Sequence, residues 1–170
     1  MAAHACQEDE RFKACLNENG AIARQPYFLD ARGWGMNQAF MPIERSPRTE
    51  PPSDKELAEM QLTRDRVNEL VNRLNSRRDR ALRATGKGAY RVVLQRSGTT
   101  HMDFSDLEVL GAITPAEQET KERVLAIIRS YTRSFFDHSL KDAKSSFPEM
   151  HSRDSLVETV ERLSPGKRPK

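Results

Sequence analysis

A chain of 170 residues, 36% hydrophobic and 31% charged, has room for one core but not for two comfortable ones. Its 28 basic residues face 25 acidic ones, a net charge of +3, and the two signs are mixed along the sequence. That mixture predicts a solvated surface rather than a phosphate-tracking stripe, and 6% aromatic residues are too few for a base-stacking platform. No run approaches the roughly 18 apolar residues of a membrane span. The start shows no basic-then-apolar leader either, which leaves the compartment unassigned and a cytoplasmic location as the default expectation.

Residues 1–9 have the small, helix-tolerant composition of a helix end. Cys6 and Cys15 make neither a disulfide framework nor a metal site by number, and they read as packed free thiols. Residues 11–17, from Arg11 to Asn17, predict a short strand that stops at Glu18-Asn19-Gly20, where Asn-Gly is a strong turn signal. Residues 21–37 are loop-like. Residues 38–43 predict a second short strand, which Pro42 confines to an edge or an end.

The proline-rich stretch around Pro47, Pro51 and Pro52 predicts a linker over residues 46–54. Ser53 and Glu56 then fit a capping box at the start of a helical segment over residues 55–84. Leu57, Met60, Val67, Leu70, Val71, Leu74 and Ala81 keep a helical period there. The pattern predicts two helices broken near Thr63 with the stripe facing the core. Arg73, Arg77, Arg78, Arg80 and Arg83 read as an exposed helix face rather than a nucleic-acid site.

Gly86 and Gly88 end this segment. Residues 90–95, Tyr90-Arg91-Val92-Val93-Leu94-Gln95, are the clearest strand. After a Gly/Thr loop, Thr114-Pro115-Ala116-Glu117 forms a second capping box with proline at the first helical position. It opens a helix to about Leu140 with Val124, Leu125, Ile128, Tyr131, Phe135 and Phe136 on one face. The segment from Asp154 to Leu163 reads as an amphipathic helix followed by a disordered basic tail. The organisation is then residues 1–145 as one domain and residues 146–170 as a helix and tail. Strand, strand, helices, strand and long helix, in that order, predict an α/β layered domain with about three parallel strands. The strand of residues 11–17 would be its open edge.

The candidate chemistry lies at His101, in Gly98-Thr99-Thr100-His101-Met102-Asp103-Phe104-Ser105-Asp106-Leu107. A histidine where a strand runs out into a turn is where an α/β enzyme places a catalytic base. The bland alternative is a histidine bonded to its own turn. No Gly-x-Ser-x-Gly elbow occurs in the chain. Ser97, Ser105, Ser130 and Ser134 lack elbow context, and Ser105 reads as a cap or buttress of the loop. Asp103 and Glu18 could stand in as an acid, although solvated carboxylates are the simpler reading. His4, His101, His138 and His151 show no ligand spacing, so no metal is expected, and no motif calls for a cofactor.

The loop around His101 resembles the histidine loop of the platelet-activating factor acetylhydrolase-like branch of the α/β hydrolases, related to dienelactone hydrolases. The likeness extends over Ala2-Ala3-His4-Ala5-Cys6, Asp9, Arg11-Phe12-Lys13-Ala14-Cys15, Asn17, Leu62-Thr63, Tyr90-Arg91-Val92 and Phe135-Phe136-Asp137. The resemblance implies the C-terminal half of an α/β-hydrolase fold and a carboxylic-ester, lipid-degrading hydrolase chemistry. In such enzymes an elbow serine attacks the ester, the histidine takes its proton, and an aspartate orients the ring. His101 would be the base, and Asn19 occupies the position of the acid. The elbow serine and one oxyanion donor would precede Met1. The expectation is a partial serine esterase, inactive alone: a truncated reading frame, a decayed gene product, or one half whose partner is an N-terminal half. The alternative is a non-catalytic module that pairs, for instance as a homodimer, through the edge of residues 11–17.

Overall fold

The computed structural model describes residues 5–6, 9–19, 37–47, 50–105, 114–141 and 146–163. Among these residues it is a mixed α/β fold built on a four-stranded sheet, with three helices of defined bounds. The strands are β1 (Ala14–Glu18), β2 (Ala39–Arg45), β3 (Ala89–Leu94) and β4 (Val157–Leu163), side by side in that order. The helices are α1 (Asp54–Met60) and α2 (Arg64–Arg83), between β2 and β3, and α3 (Pro115–Lys141), between β3 and β4. β1, β2 and β3 run parallel, and β4 is antiparallel to β3. No helix among the described residues is long and apolar enough to cross a membrane.

Strand alternation divides the apolar residues between the two faces of the sheet. Ala14, Met41, Ile43, Tyr90, Val92 and Leu94 pack against Val124, Ile127, Ile128, Tyr131 and Phe135 of α3. Cys15, Phe40 and Ala89 pack with Ala81 and Leu82 at the C-terminal end of α2. The sheet is thus covered on both sides, which explains why β3 reads as a continuous apolar run. Burial pushes the Tyr131 hydroxyl up to about 12, so this tyrosine serves the core as a neutral ring at ordinary pH.

Both capping boxes form. Ser53 accepts from the Glu56 amide while the Glu56 carboxylate accepts from the Ser53 amide. Thr114 Oγ1 accepts from the Glu117 amide at 3.2 Å, and Glu117 Oε2 accepts from the Thr114 amide at 2.9 Å. Thr63 is the N-cap of α2, its side chain accepting from the Arg66 amide, so the helical segment breaks where the spacing predicts.

Four expectations are corrected. The segment from Asp154 to Leu163 is not a helix: Val157–Leu163 is strand β4, paired with β3 from Ala89↔Leu163 to Leu94↔Val157. Val157, Val160 and Leu163 mimic a helical spacing, but a ladder with the exposed side of β3 outweighs that local period. This segment therefore joins the sheet formed by the first three strands; the tail beyond residue 163 lies outside the described residues.

Pro42 does not confine β2 to an edge, for β2 is an inner strand. The β1 ladder is continuous through Asn17↔Pro42, whereas the β3 register passes from Phe40↔Ala89 to Ile43↔Val92 without pairing Met41 or Pro42. The missing N–H is accommodated by interrupting one ladder only.

The apolar stripe of the helical segment does not face the core along its whole length. Leu57 and Ala81 are buried, but Met60 and Val71 are 47% and 46% exposed. Within α2, burial is confined to Ala81 and Leu82, where the helix end meets the sheet. Arg78 of α2 adds a salt bridge of 3.4 Å to Glu44, which also pairs with Arg91 on the same sheet face.

Cys6 and Cys15 are not free thiols but a disulfide, their Cα atoms 6.2 Å apart, inside the range a bond requires. The chain folds back through a turn in which the Asp9 amide donates to the Ala5 carbonyl and the Phe12 amide to the Asp9 carbonyl. Such bonds persist in oxidising surroundings and are rare where thiols are kept reduced. A loop of 9 residues of separation implies a chain-entropy stabilisation of about 2.5 kcal/mol. Cys15→Ser is expected to lower the unfolding free energy by about that amount in urea denaturation. A variant as stable as the unreduced wild type would contradict this role.

Candidate functional site at the carboxyl ends of the parallel strands

Parallel pairing brings Glu18, Arg45 and Leu94, the last residues of β1, β2 and β3, to one rim of the sheet. Loops leaving that rim are where open α/β sheets place their ligands. Three segments meet there: Asn19 after β1, Ser46 after β2, and the residues from Gln95 to Ser105 after β3.

Asn19 sits in the left-handed region at φ 47°, a conformation asparagine tolerates better than most residues. Its amide donates to the Ile43 carbonyl at 2.7 Å, which bends the chain over the end of β2. The side chain is thereby aimed across β2 to the loop after β3. There Asn19 Nδ2 lies 2.6 Å from His101 Nδ1. Two residues separated by 82 positions thus meet, and the ring of His101 bonds to no other described residue.

The loop that holds His101 is braced from within and below. Two short 3-10 turns, Arg96–Gly98 and Met102–Phe104, flank it. Thr99 Oγ1 donates to the Gln95 carbonyl at 2.6 Å, and the Thr100 amide donates to Asp103 Oδ2 at 2.5 Å. Asp103 is 3% exposed, so it serves as an internal brace. The Ser105 amide closes the second turn on the Met102 carbonyl at 2.8 Å. Gly98 passes against the Leu156 side chain so closely that a Cβ there would collide with it. The Gln95 amide also donates to the Leu156 carbonyl at 2.8 Å, fastening the start of the loop to the residue before β4.

The two alternative acids do not reach the histidine. Glu18 accepts from Thr132 Oγ1 of α3 at 3.1 Å, and Asp103 bonds within its own loop. Among the described residues no serine hydroxyl bonds to His101, and no cluster of His, Cys, Asp or Glu could hold a metal ion. Asp106 and Leu107, quoted with the histidine loop, lie outside the described residues.

The orientation of the Asn19 amide decides what the histidine can do. Its Oδ1 is 3.5 Å from the Arg45 amide, which can only donate. Turning the amide over would set two donors against each other. With Oδ1 toward Arg45, Nδ2 is the atom facing His101, and an NH2 group can only donate. His101 Nδ1 must then accept, and the neutral ring carries its proton on Nε2. An aspartate would accept from both neighbours and place the ring proton on Nδ1 instead.

The sequence singled out His101 and Asn19. It missed Arg45 and Arg96, whose side chains hold this rim together. Arg45 Nη2 donates to the Arg96 carbonyl at 3.3 Å, and Arg96 Nη1 donates to the Ser46 carbonyl at 3.1 Å. An arginine at the end of β2 and another in the turn just after β3 carry no motif, and only the parallel register makes them neighbours.

Compared with family models, with curated proteins and with solved structures, the chain matches none of them.

Asn19→Asp, which suits the same left-handed turn, is expected to move the proton of the neutral His101 ring from Nε2 to Nδ1. Imidazole 15N chemical shifts read this directly. An unchanged proton position in the variant would contradict the amide orientation described above.

Proposed function

We propose that the chain is the histidine-bearing part of an α/β-hydrolase-type carboxylic ester hydrolase, resembling the platelet-activating factor acetylhydrolases, and that it is catalytically silent by itself. The single observation that carries this reading is the contact of Asn19 Nδ2 with His101 Nδ1 at 2.6 Å, made across the carboxyl end of an intervening parallel strand. In a serine esterase the base accepts the nucleophile's proton on Nε2, while an aspartate accepts from Nδ1–H and stabilises the imidazolium. Here the acid position holds an amide that donates into Nδ1. Nε2 then bears the ring proton and has no lone pair with which to accept another.

Replacing the orienting aspartate of a serine protease by asparagine leaves the geometry intact yet lowers kcat about 10⁴-fold, because the tautomer is wrong. That worked example matches the amide-to-ring contact found here. The half α/β-hydrolase architecture belongs to the same proposal, supported by three parallel strands whose first is followed by Asn19 and whose third leads into the loop that carries His101.

A second reading is favoured by a separate observation. β1 is the terminal strand, paired to β2 alone among the described strands, and an edge of this kind can accept a partner strand. The partner would be an N-terminal half or a second copy of the chain.

The test is hydrolysis of a short-chain aryl ester by the purified chain. The expected result is no turnover above buffer, for wild type and His101→Ala alike. Turnover well above buffer that His101→Ala abolishes would overturn the claim of silence. Light scattering separates the two readings: a discrete dimer supports pairing through the β1 edge, and a monomer counts against it.

A further inference from the structure

Beside the His101 loop lies a cleft of about 570 Å³, with Arg45, Arg96, Thr100, Asp103, Thr120 and Lys121 in its walls. That volume falls in the range of small-molecule sites. Its distinguishing feature is the way two guanidiniums are held. Arg45 donates to the Arg96 carbonyl and Arg96 donates to the Ser46 carbonyl, so each arginine is positioned by a neutral backbone oxygen. Neither forms a salt bridge to a described carboxylate. Arg45 Nε is buried with no hydrogen-bond partner among the described residues.

Two like charges on one rim of the sheet, Arg45 at the end of β2 and Arg96 in the turn after β3, repel, and burial compounds the cost. Burial and then the Arg96 charge depress the Arg45 guanidinium below its usual range, while the Asp103 charge opposes them. Asp103 compensates only in part. One of its oxygens accepts from the Thr100 amide, and the other is buried with no partner among the described residues. Glu117, the other carboxylate in the walls, is engaged with Thr114 in the cap of α3. Arg45 and Arg96 thus stand in one wall with no described carboxylate bonded to either.

We propose that this cleft binds a small molecule through a phosphate-type oxyanion, which the Arg45 and Arg96 guanidiniums grip together. Arginine forks suit such a group, because paired N–H donors match paired oxygens. Backbone anchoring sets the forks before the ligand arrives, so little side-chain freedom remains to be lost on binding. The oxyanion would relieve the repulsion between the two arginines. Thr100, in the same wall, immediately precedes His101, so a bound molecule would extend toward the histidine. The inference stands on the cleft itself and holds whether or not His101 takes part in ester chemistry.

The experiment titrates inorganic phosphate into the 15N-labelled chain at constant ionic strength, with chloride as the control anion. The expected result is a saturable shift of the Arg45, Arg96 and Thr100 amides with phosphate and not with chloride. Arg96→Gln should weaken binding about tenfold or more, while Lys55→Gln, on the exposed face of α1, should bind like wild type. The wild-type shift map needs no variant, so a failure of Arg96→Gln to fold leaves the test intact. Shifts scattered over the surface, equal with chloride, or unchanged in a folded Arg96→Gln would overturn the proposal.

Discussion

Across the top of β2, the side chain of Asn19 touches the ring of His101 at 2.6 Å, and that contact constrains what the whole rim can do. It requires the left-handed backbone at Asn19, the bond of the Asn19 amide to the Ile43 carbonyl, and a loop after β3 braced tightly enough to present the ring. Each requirement is met by a separate part of the chain. The parallel register supplies the common rim, the Asn-Gly turn supplies the bend, and Asp103 with Thr99 supplies the brace. A hydrogen bond between two side chains is worth only about 1 kcal/mol net, so the fold does not rest on it. What it determines is which ring nitrogen holds the proton.

The same rim carries two arginines that a sequence reading passes over. Arg45 and Arg96 clamp each other's segments through backbone carbonyls, and in doing so they position the turn that begins the histidine loop. Arg45 also links the two features of the site. Its amide faces Asn19 Oδ1 and so orients the amide that meets His101, while Arg45 also lines the cleft. The histidine and the cationic cleft are thus two sides of one strand end. Below the rim, α3 covers one face of the sheet with its aromatic and branched residues, and the end of α2 covers part of the other. The disulfide of Cys6 and Cys15 secures the start of the chain to β1, the strand that leads directly into Asn19.

Much of this was legible from residue order. Ser53 with Glu56 and Thr114 with Glu117 announced two helix starts. The β-branched run of β3 announced its strand, and Gly98 to Ser105 announced the loop. These are local signals, in which each residue's role is decided by near neighbours. The failures share the opposite cause. β4 was hidden because Val157, Val160 and Leu163 keep a helical spacing, and only the free side of β3 makes them a strand. Pro42 misled because a proline removes one ladder bond, which an inner strand survives when one neighbour alone is affected. The disulfide depends on a fold-back through Asp9, and the Arg45–Arg96 clamp depends on register. The exposed Met60 and Val71 show that a periodic stripe specifies a helix without specifying what covers it.

The central claim is that Asn19 donates to His101 and so leaves the proton of the neutral ring on Nε2. The most direct measurement is the 15N spectrum of the imidazole in the wild-type chain, at a pH where the ring is neutral, with coupling to the ring carbons to assign each nitrogen. The account predicts a pyridine-like shift for Nδ1 and a protonated, pyrrole-like shift for Nε2. The reverse assignment, with the proton on Nδ1 and a free lone pair on Nε2, would contradict it and restore His101 as a competent base.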